Sequence, residues 1–215
     1  MKKPPKSKIL IACESSGKVR DQFIKLGYDT ISCDILPTEN PGPHYQGDIN
    51  DILYNDWDLM IAFPPCTHLA VSGAAWFKEK QLDGRQQESI DFFIKLVNAP
   101  IKHIAIENPI GIMSNKYRKP DQIIHPFYYG DPIRKSTCLW LKNLPKLFHT
   151  QNNDLFVKSE YTTPDIVRYG NKTYSGPAAK WYGSKEERSR ERSRTYDGIA
   201  SAMAKQWSEY LINQK

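Results

Sequence analysis

No CxxC pair occurs: Cys13, Cys33, Cys66 and Cys138 stand far apart. That excludes a zinc knuckle and a disulfide scaffold, and it points to a reduced, cytoplasmic protein. No apolar run approaches the ~20 residues needed to cross a bilayer, so no membrane span is expected. The apolar stretch behind the basic start MKKPPKSK is too short for a secretory signal. The histidines (His44, His68, His103, His125, His149) lack ligand spacing, and no metal site is expected. Neither GxGxxG nor GxxxxGK[ST] is present, which removes the usual dinucleotide and NTPase fingerprints. Internal repeats and long flexible linkers are absent too.

What is present is a chain of 215 residues, 40% hydrophobic and 25% charged, the balance of one soluble domain with a sizeable core. Its net charge of +6 is uneven: residues 1–113 carry 12 Lys/Arg against 14 Asp/Glu, and residues 114–194 carry 16 against 8. The basic segment also holds Tyr117, Phe127, Tyr128, Tyr129, Tyr161, Tyr169, Tyr174, Trp181 and Tyr182. Interleaved cations and aromatics suit phosphate contact and base stacking, although a lysine-rich solvated surface has the same composition.

The first half alternates strand and helix. KILIAC, TISCD, a short run closed by Gly47-Asp48-Ile49, DLMIAF and HIAIEN read as strands. Helices are expected behind Gly17, with Val19, Phe23 and Leu26 on one face, and over 84–98, with Ile90, Phe93, Ile94 and Val97 on one stripe. This pattern predicts βαβ units and a mostly parallel sheet covered on both faces. TCLWL is a further candidate strand. Ile199, Met203, Trp207 and Leu211 predict a last helix packing back on the core, and Phe127-Tyr128-Tyr129 reads as packing.

Ligands on such a sheet gather at the carboxyl ends of its strands. There the sequence puts Glu14 and a Ser-Ser-Gly turn, Asp34, Asp48, Cys66 and Glu107, a set that suits a nucleotide-type site. FPPCT (63–67) and IENP (106–109) carry the sharpest signal. A thiolate held by two prolines is the natural nucleophile for conjugate addition to an electron-poor ring such as cytosine at C6. A carboxylic acid nearby supplies the proton that N3 needs as sulfur adds. The competing readings are a small buried hydrophobe for Cys66 and a loop-capping acid for Glu107.

These residues resemble the DNA cytosine C5-methyltransferases that use S-adenosylmethionine, and more narrowly their short, phage- and prophage-associated members. ILIACESSG resembles the first cofactor loop, CDI the acidic ribose motif, GDI the adenine motif, FPPCT the nucleophile loop and IENP the motif carrying the cytosine-binding glutamate. YGDPIRKSTCLWL is similar to the family's arginine-rich strand, and YDGIASAMAKQW to its last cofactor motif. The resemblance implies an α/β, Rossmann-like class I methyltransferase fold. It implies Cys66 and Glu107 as catalytic residues. For the cofactor it implies Cys13, Glu14, Ser15, Gly17, Asp34, Ile35, Asp48, Ile49, Pro64 and Pro65. It also implies duplex DNA as partner, with the cytosine flipped out of the stack, in a restriction–modification setting.

Several positions depart from the family. Ser15 stands where a loop glycine is usual, Asn108 precedes proline rather than valine, and Ile133, Lys135 and Thr137 replace glutamine and two arginines. Arg134 is displaced by one place, which in a strand reverses the face, so Lys135 is the better candidate for the cytosine O2. Residues 1–142 form the expected cofactor-binding and catalytic core, 143–194 a reduced target-recognition segment, and 195–215 the returning helix. Asn108, Arg134, Lys135, Arg188, Arg190, Arg192 and Arg194 are the expected substrate contacts, with loose or very short sequence specificity.

Three rivals remain at this point: the same chemistry on a nucleotide, RNA or single strand; an amino-methyltransferase; and an inactive scaffold of the same fold. The phenylalanine before the prolines and the cysteine after them argue against the second. Retention of both Cys66 and Glu107 argues against the third.

Overall fold

Alternation along the central strands divides the core in two. The computed structural model describes residues 7–149, 162–169, 172–175, 183–184, 187 and 194–214. In it, β1 (Lys8–Ala12) sends Ile9 and Ile11 to one face of the sheet and Leu10 and Ala12 to the other. Strand β4 (Leu59–Ala62) does the same with Leu59 and Ile61 against Met60 and Ala62. Helix α3 (Arg85–Val97) covers one face through Ile90, Phe93 and Leu96. The other is covered by α1 (Lys18–Lys25), through Val19 and Phe23, and by the final helix α5 (Asp197–Asn213), through Ile199, Met203, Trp207 and Leu211. Short helices α2 (Phe77–Leu82) and α4 (Met113–Lys116) lie between.

The remaining strands of the main sheet are β2 (Asp29–Asp34), β3 (His44–Gln46), β5 (His103–Pro109), β6 (Gln122–Ile124) and β7 (Thr137–Lys142). Their order is β3-β2-β1-β4-β5-β7-β6. The first five positions are parallel; β7 runs antiparallel to β5, and β6 antiparallel to β7. This is the α/β, Rossmann-like architecture that the sequence predicts, a mostly parallel sheet covered on both faces. A separate hairpin of β8 (Ile166–Tyr169) and β9 (Lys172–Ser175) lies within the polar segment 143–194.

One helical expectation fails. Leu26 is 42% exposed, because α1 ends at Lys25 and Leu26 is its C-cap, turned away from the Val19–Phe23 stripe. Gly198, in the first turn of α5, has a definite reason to be glycine: a Cβ there would stand 2.0 Å from the Tyr129 carbonyl oxygen.

Arg20 is wholly buried, which sequence periodicity did not anticipate. Its guanidinium bonds the Asp21 carboxylate (2.8 Å), Ser32 Oγ (3.2 Å), Thr38 Oγ1 (3.1 Å) and the Asn40 carbonyl (2.9 Å). It thus ties α1 to the end of β2 and to the loop beyond it. Arg20→Ala leaves these acceptors without their donor, and we expect a loss of about 3 kcal/mol. Urea unfolding of the variant measures it.

Candidate active site

Two groups of side chains occupy the carboxyl edge of the sheet. The first surrounds the ends of β1, β2 and β3. Cys13 leaves β1 in the left-handed region (φ 58°), and the chain turns at Gly17 (φ 71°) into α1. Glu14 is buried, and its carboxylate accepts hydrogen bonds from Val19 N (2.8 Å), Arg20 N (3.3 Å) and Ser16 Oγ (3.2 Å). It therefore caps α1 and fixes the loop, although burial still pushes its pKa up. The Ser15 carbonyl accepts from Glu39 N (2.8 Å), which closes the loop after β2 onto the loop after β1.

Asp34 ends β2, and its Oδ1 accepts from Leu36 N (2.9 Å); beside it Ile35 is 75% exposed. Asp48, exposed after β3, holds the next turn by accepting from Asn50 N (2.9 Å). Ile49 is in the core instead. The Cys13 thiol is pushed far up, first by burial and then by the charges of Asp34 and Asp48, so both carboxylates bear on the end of β1. The same causes push the Cys33 thiol up to about 12. Among the described residues neither Asp34 Oδ2 nor Asp48 Oδ2 has a hydrogen-bond donor. Two open carboxylate oxygens beside an exposed isoleucine fit an adenosyl group: acceptors for hydroxyls and an amine, and an apolar wall for the ring.

The second group lies at β4, β5 and β7. Ala62 stands opposite Ile106, so Phe63 and Glu107 come next at the same level of adjacent strands. A pocket there is lined by Phe63, Glu107, Lys135, Thr137, Arg194 and Tyr196, among others. Burial raises the Glu107 pKa, and the Lys135 ammonium partly opposes the rise. Behind it, burial and the Glu107 charge push the Cys138 thiol up to about 11. Lys135 Nζ also lies 5.6 Å from the Tyr196 ring centroid, in the range of a cation–π contact. Arg194 pairs with Glu39, which links this pocket to the loops of the first group.

Cys66 is partly exposed on the loop that leaves β4, between buried Pro64 and the turn in which its own carbonyl accepts from Leu69 N and Ala70 N. It is three residues on from Phe63 and does not itself line the pocket. The two motifs are physically joined: Asn108, 1% exposed, donates from Nδ2 to the Pro64 carbonyl (2.9 Å). Further along, Val71 N bonds the Ile110 carbonyl (3.0 Å) and Ile112 N the Leu69 carbonyl (2.9 Å). Asn108 thus holds the loop that carries Cys66. We expect Asn108→Ala to lower kcat by about tenfold or more with little change in substrate affinity, since small misplacement of a reacting group is costly; steady-state kinetics separate the two.

The structure therefore brings Cys13, Glu14, Ser15, Gly17, Asp34 and Asp48 to one side of the edge. It brings Glu107, Lys135 and Arg194 to the other, with the Cys66 loop beside them. Arg134 is exposed and does not line the pocket, and Pro65 is exposed while Pro64 is buried. Arg188, Arg190 and Arg192 lie outside the described residues. Sequence reasoning missed Phe63 and Thr195 as lining residues. Phe63 lies within the FPPCT motif and Thr195 directly precedes YDGIASAMAKQW, and that placement was the available signal.

No family model matches the chain, and no curated protein matches it. A solved structure, provisionally assigned as a DNA modification methyltransferase encoded within a prophage of E. coli, is similar over 63% of this chain and 46% of that one. The identity is 17% and the TM-score 0.43. The chain thus spans less than half the length of that protein. The chemistry has to be argued from the site.

Proposed function

We propose that this chain is a DNA methyltransferase that uses S-adenosylmethionine and acts at C5 of cytosine. The observation that carries the reading is the coupling of the Glu107 pocket to the Cys66 loop through Asn108 and Pro64.

Asp34 and Asp48 would hold the adenosyl group, with Ile35 against the ring. The bound cofactor supplies an electrophilic methyl on a sulfonium. On the substrate side, the Cys66 thiolate adds to C6 of the flipped base, and the C5=C6 electron pair moves to C5. Glu107, whose pKa burial raises, gives a proton to N3 as this charge develops. Lys135 faces the same pocket and suits the cytosine O2. Once C5 has gained its methyl, water takes the C5 proton, and that C–H pair re-forms C5=C6 as the Sγ–C6 bond breaks and the thiolate leaves. N3 returns its proton to the Glu107 carboxylate. Residues 143–194, with the β8–β9 hairpin, form the segment that meets DNA, and Arg194 belongs to that face.

The test is transfer of labelled methyl from S-adenosylmethionine to mixed-sequence duplex DNA, with identification of the modified base. Label on C5 of cytosine is the expected result. Label on dCMP, RNA or single strands in preference to duplex would change the substrate, and no label on any of them would overturn the reading.

A further inference from the structure

Lys80, on α2, is 8% exposed. Its Nζ donates to the Thr67 carbonyl at 2.7 Å, and among the described residues it makes no ion pair. Thr67 is the residue after Cys66. Next along, Gln86 on α3, 2% exposed, donates from Nε2 to the His68 carbonyl (3.2 Å) and accepts from Gln81 Nε2 (3.0 Å). Two successive carbonyls behind the thiol are therefore gripped by buried side chains from two helices. Gly73 closes over this contact: a Cβ there would stand 3.2 Å from Lys80 Nζ.

A buried ammonium facing one carbonyl is an expensive arrangement unless a counter-charge arises nearby. The carboxylates around it are otherwise engaged: Arg85 pairs with both Glu79 (2.8 Å) and Asp83. Burial and then the Lys80 and Arg85 charges lower the His68 pKa, against Asp83 and Glu88, and its buried Nδ1 has no hydrogen-bond partner among the described residues. On β5, Glu107 feels the opposing charge of Lys135. The group that gains charge in the proposed reaction is the thiol of Cys66, one residue before the carbonyl that Lys80 holds.

We infer that Lys80 is a positioning residue for the nucleophile, its buried ammonium fixing the Thr67 carbonyl and serving as counter-charge to the Cys66 thiolate, with Gln86 holding the next carbonyl. This rests on the reading of Cys66 as nucleophile, but its test does not need methyl transfer. An ammonium beside a thiol favours the thiolate, so the pH profile of Cys66 alkylation reports the contact directly. Iodoacetamide labelling of the Cys66 peptide, read by mass spectrometry, separates it from the other cysteines.

In Lys80→Met the alkylation profile is expected to move up by about one pH unit, roughly tenfold slower labelling on the acid side. Lys80→Gln keeps a donor for Thr67 O without the charge, so it folds as the wild type does and shows the same shift. Lys80→Arg restores the wild-type profile. Wild-type profiles in Lys80→Gln and Lys80→Met, or an Arg variant shifted like the Met variant, would overturn the inference. If the wild type labels no DNA but the alkylation profiles shift as described, the proposed function fails and the Lys80 contact stands; methylation with unshifted profiles gives the reverse.

Discussion

Cys66→Ser is expected to lose methyl transfer to cytosine by about 10⁴-fold or more, while the fold and cofactor binding persist. An alkoxide is far harder to form at neutral pH than a thiolate, so the variant has no way to make C5 electron-rich. The position explains why binding survives. Cys66 is partly exposed on a loop whose backbone carbonyls at Pro64, Thr67 and His68 are held by Asn108, Lys80 and Gln86. The Asp34 and Asp48 carboxylates sit at the far strands of the edge, β2 and β3. Calorimetry with S-adenosylmethionine should give the wild-type affinity, and the labelled-methyl assay should give background. Full activity in Cys66→Ser would remove the covalent mechanism and revive transfer to an exocyclic amine.

Much of this site was legible in the chain because strands announce their ends. β4 and β5 are continuous apolar runs stopped by proline, and the short motifs at those stops, FPPC and ENP, hold Cys66 and Glu107. Parallel pairing then puts Phe63 and Glu107 side by side without further information. Lys135 lines the pocket and Arg134 is exposed, but both lie in the loop before β7 and not in the strand expected there. Arg20, Lys80 and Gln86 were not legible, because periodicity sorts apolar from polar residues and these are polar side chains inside. Their burial depends on carbonyls and hydroxyls brought in from distant segments. Glu14 illustrates the same limit. At a strand end it reads as a ligand for the cofactor, whereas the N–H groups of α1 take up its carboxylate. β6 spans three residues and the β8–β9 strands four each, too short for a period to register.

Glu107→Gln should separate activity from stability in opposite directions. Its amide keeps the shape but has no acidic proton to give N3, so a loss of about 10²–10⁴-fold in kcat is expected. The stability effect comes from the raised pKa. Between the ordinary glutamate value and the higher folded value, the folded chain binds a proton that the unfolded chain has lost. Stability contributed by Glu107 is therefore full at acid pH and falls as pH rises through that window. Above it, folding carries the cost of an ionised carboxylate in a pocket, offset in part by Lys135. The glutamine variant has no such titration. Its thermal midpoint should equal the wild type's near pH 4 and exceed it at pH 7–8, while Lys135→Met should lower the midpoint at neutral pH only when Glu107 is present. An acid that merely capped a loop or paired with a cation would behave otherwise, because its removal would destabilise the fold at neutral pH. A variant less stable than wild type at pH 8 would therefore count against a carboxyl whose pKa burial raises, and a gain in stability with loss of turnover would support it.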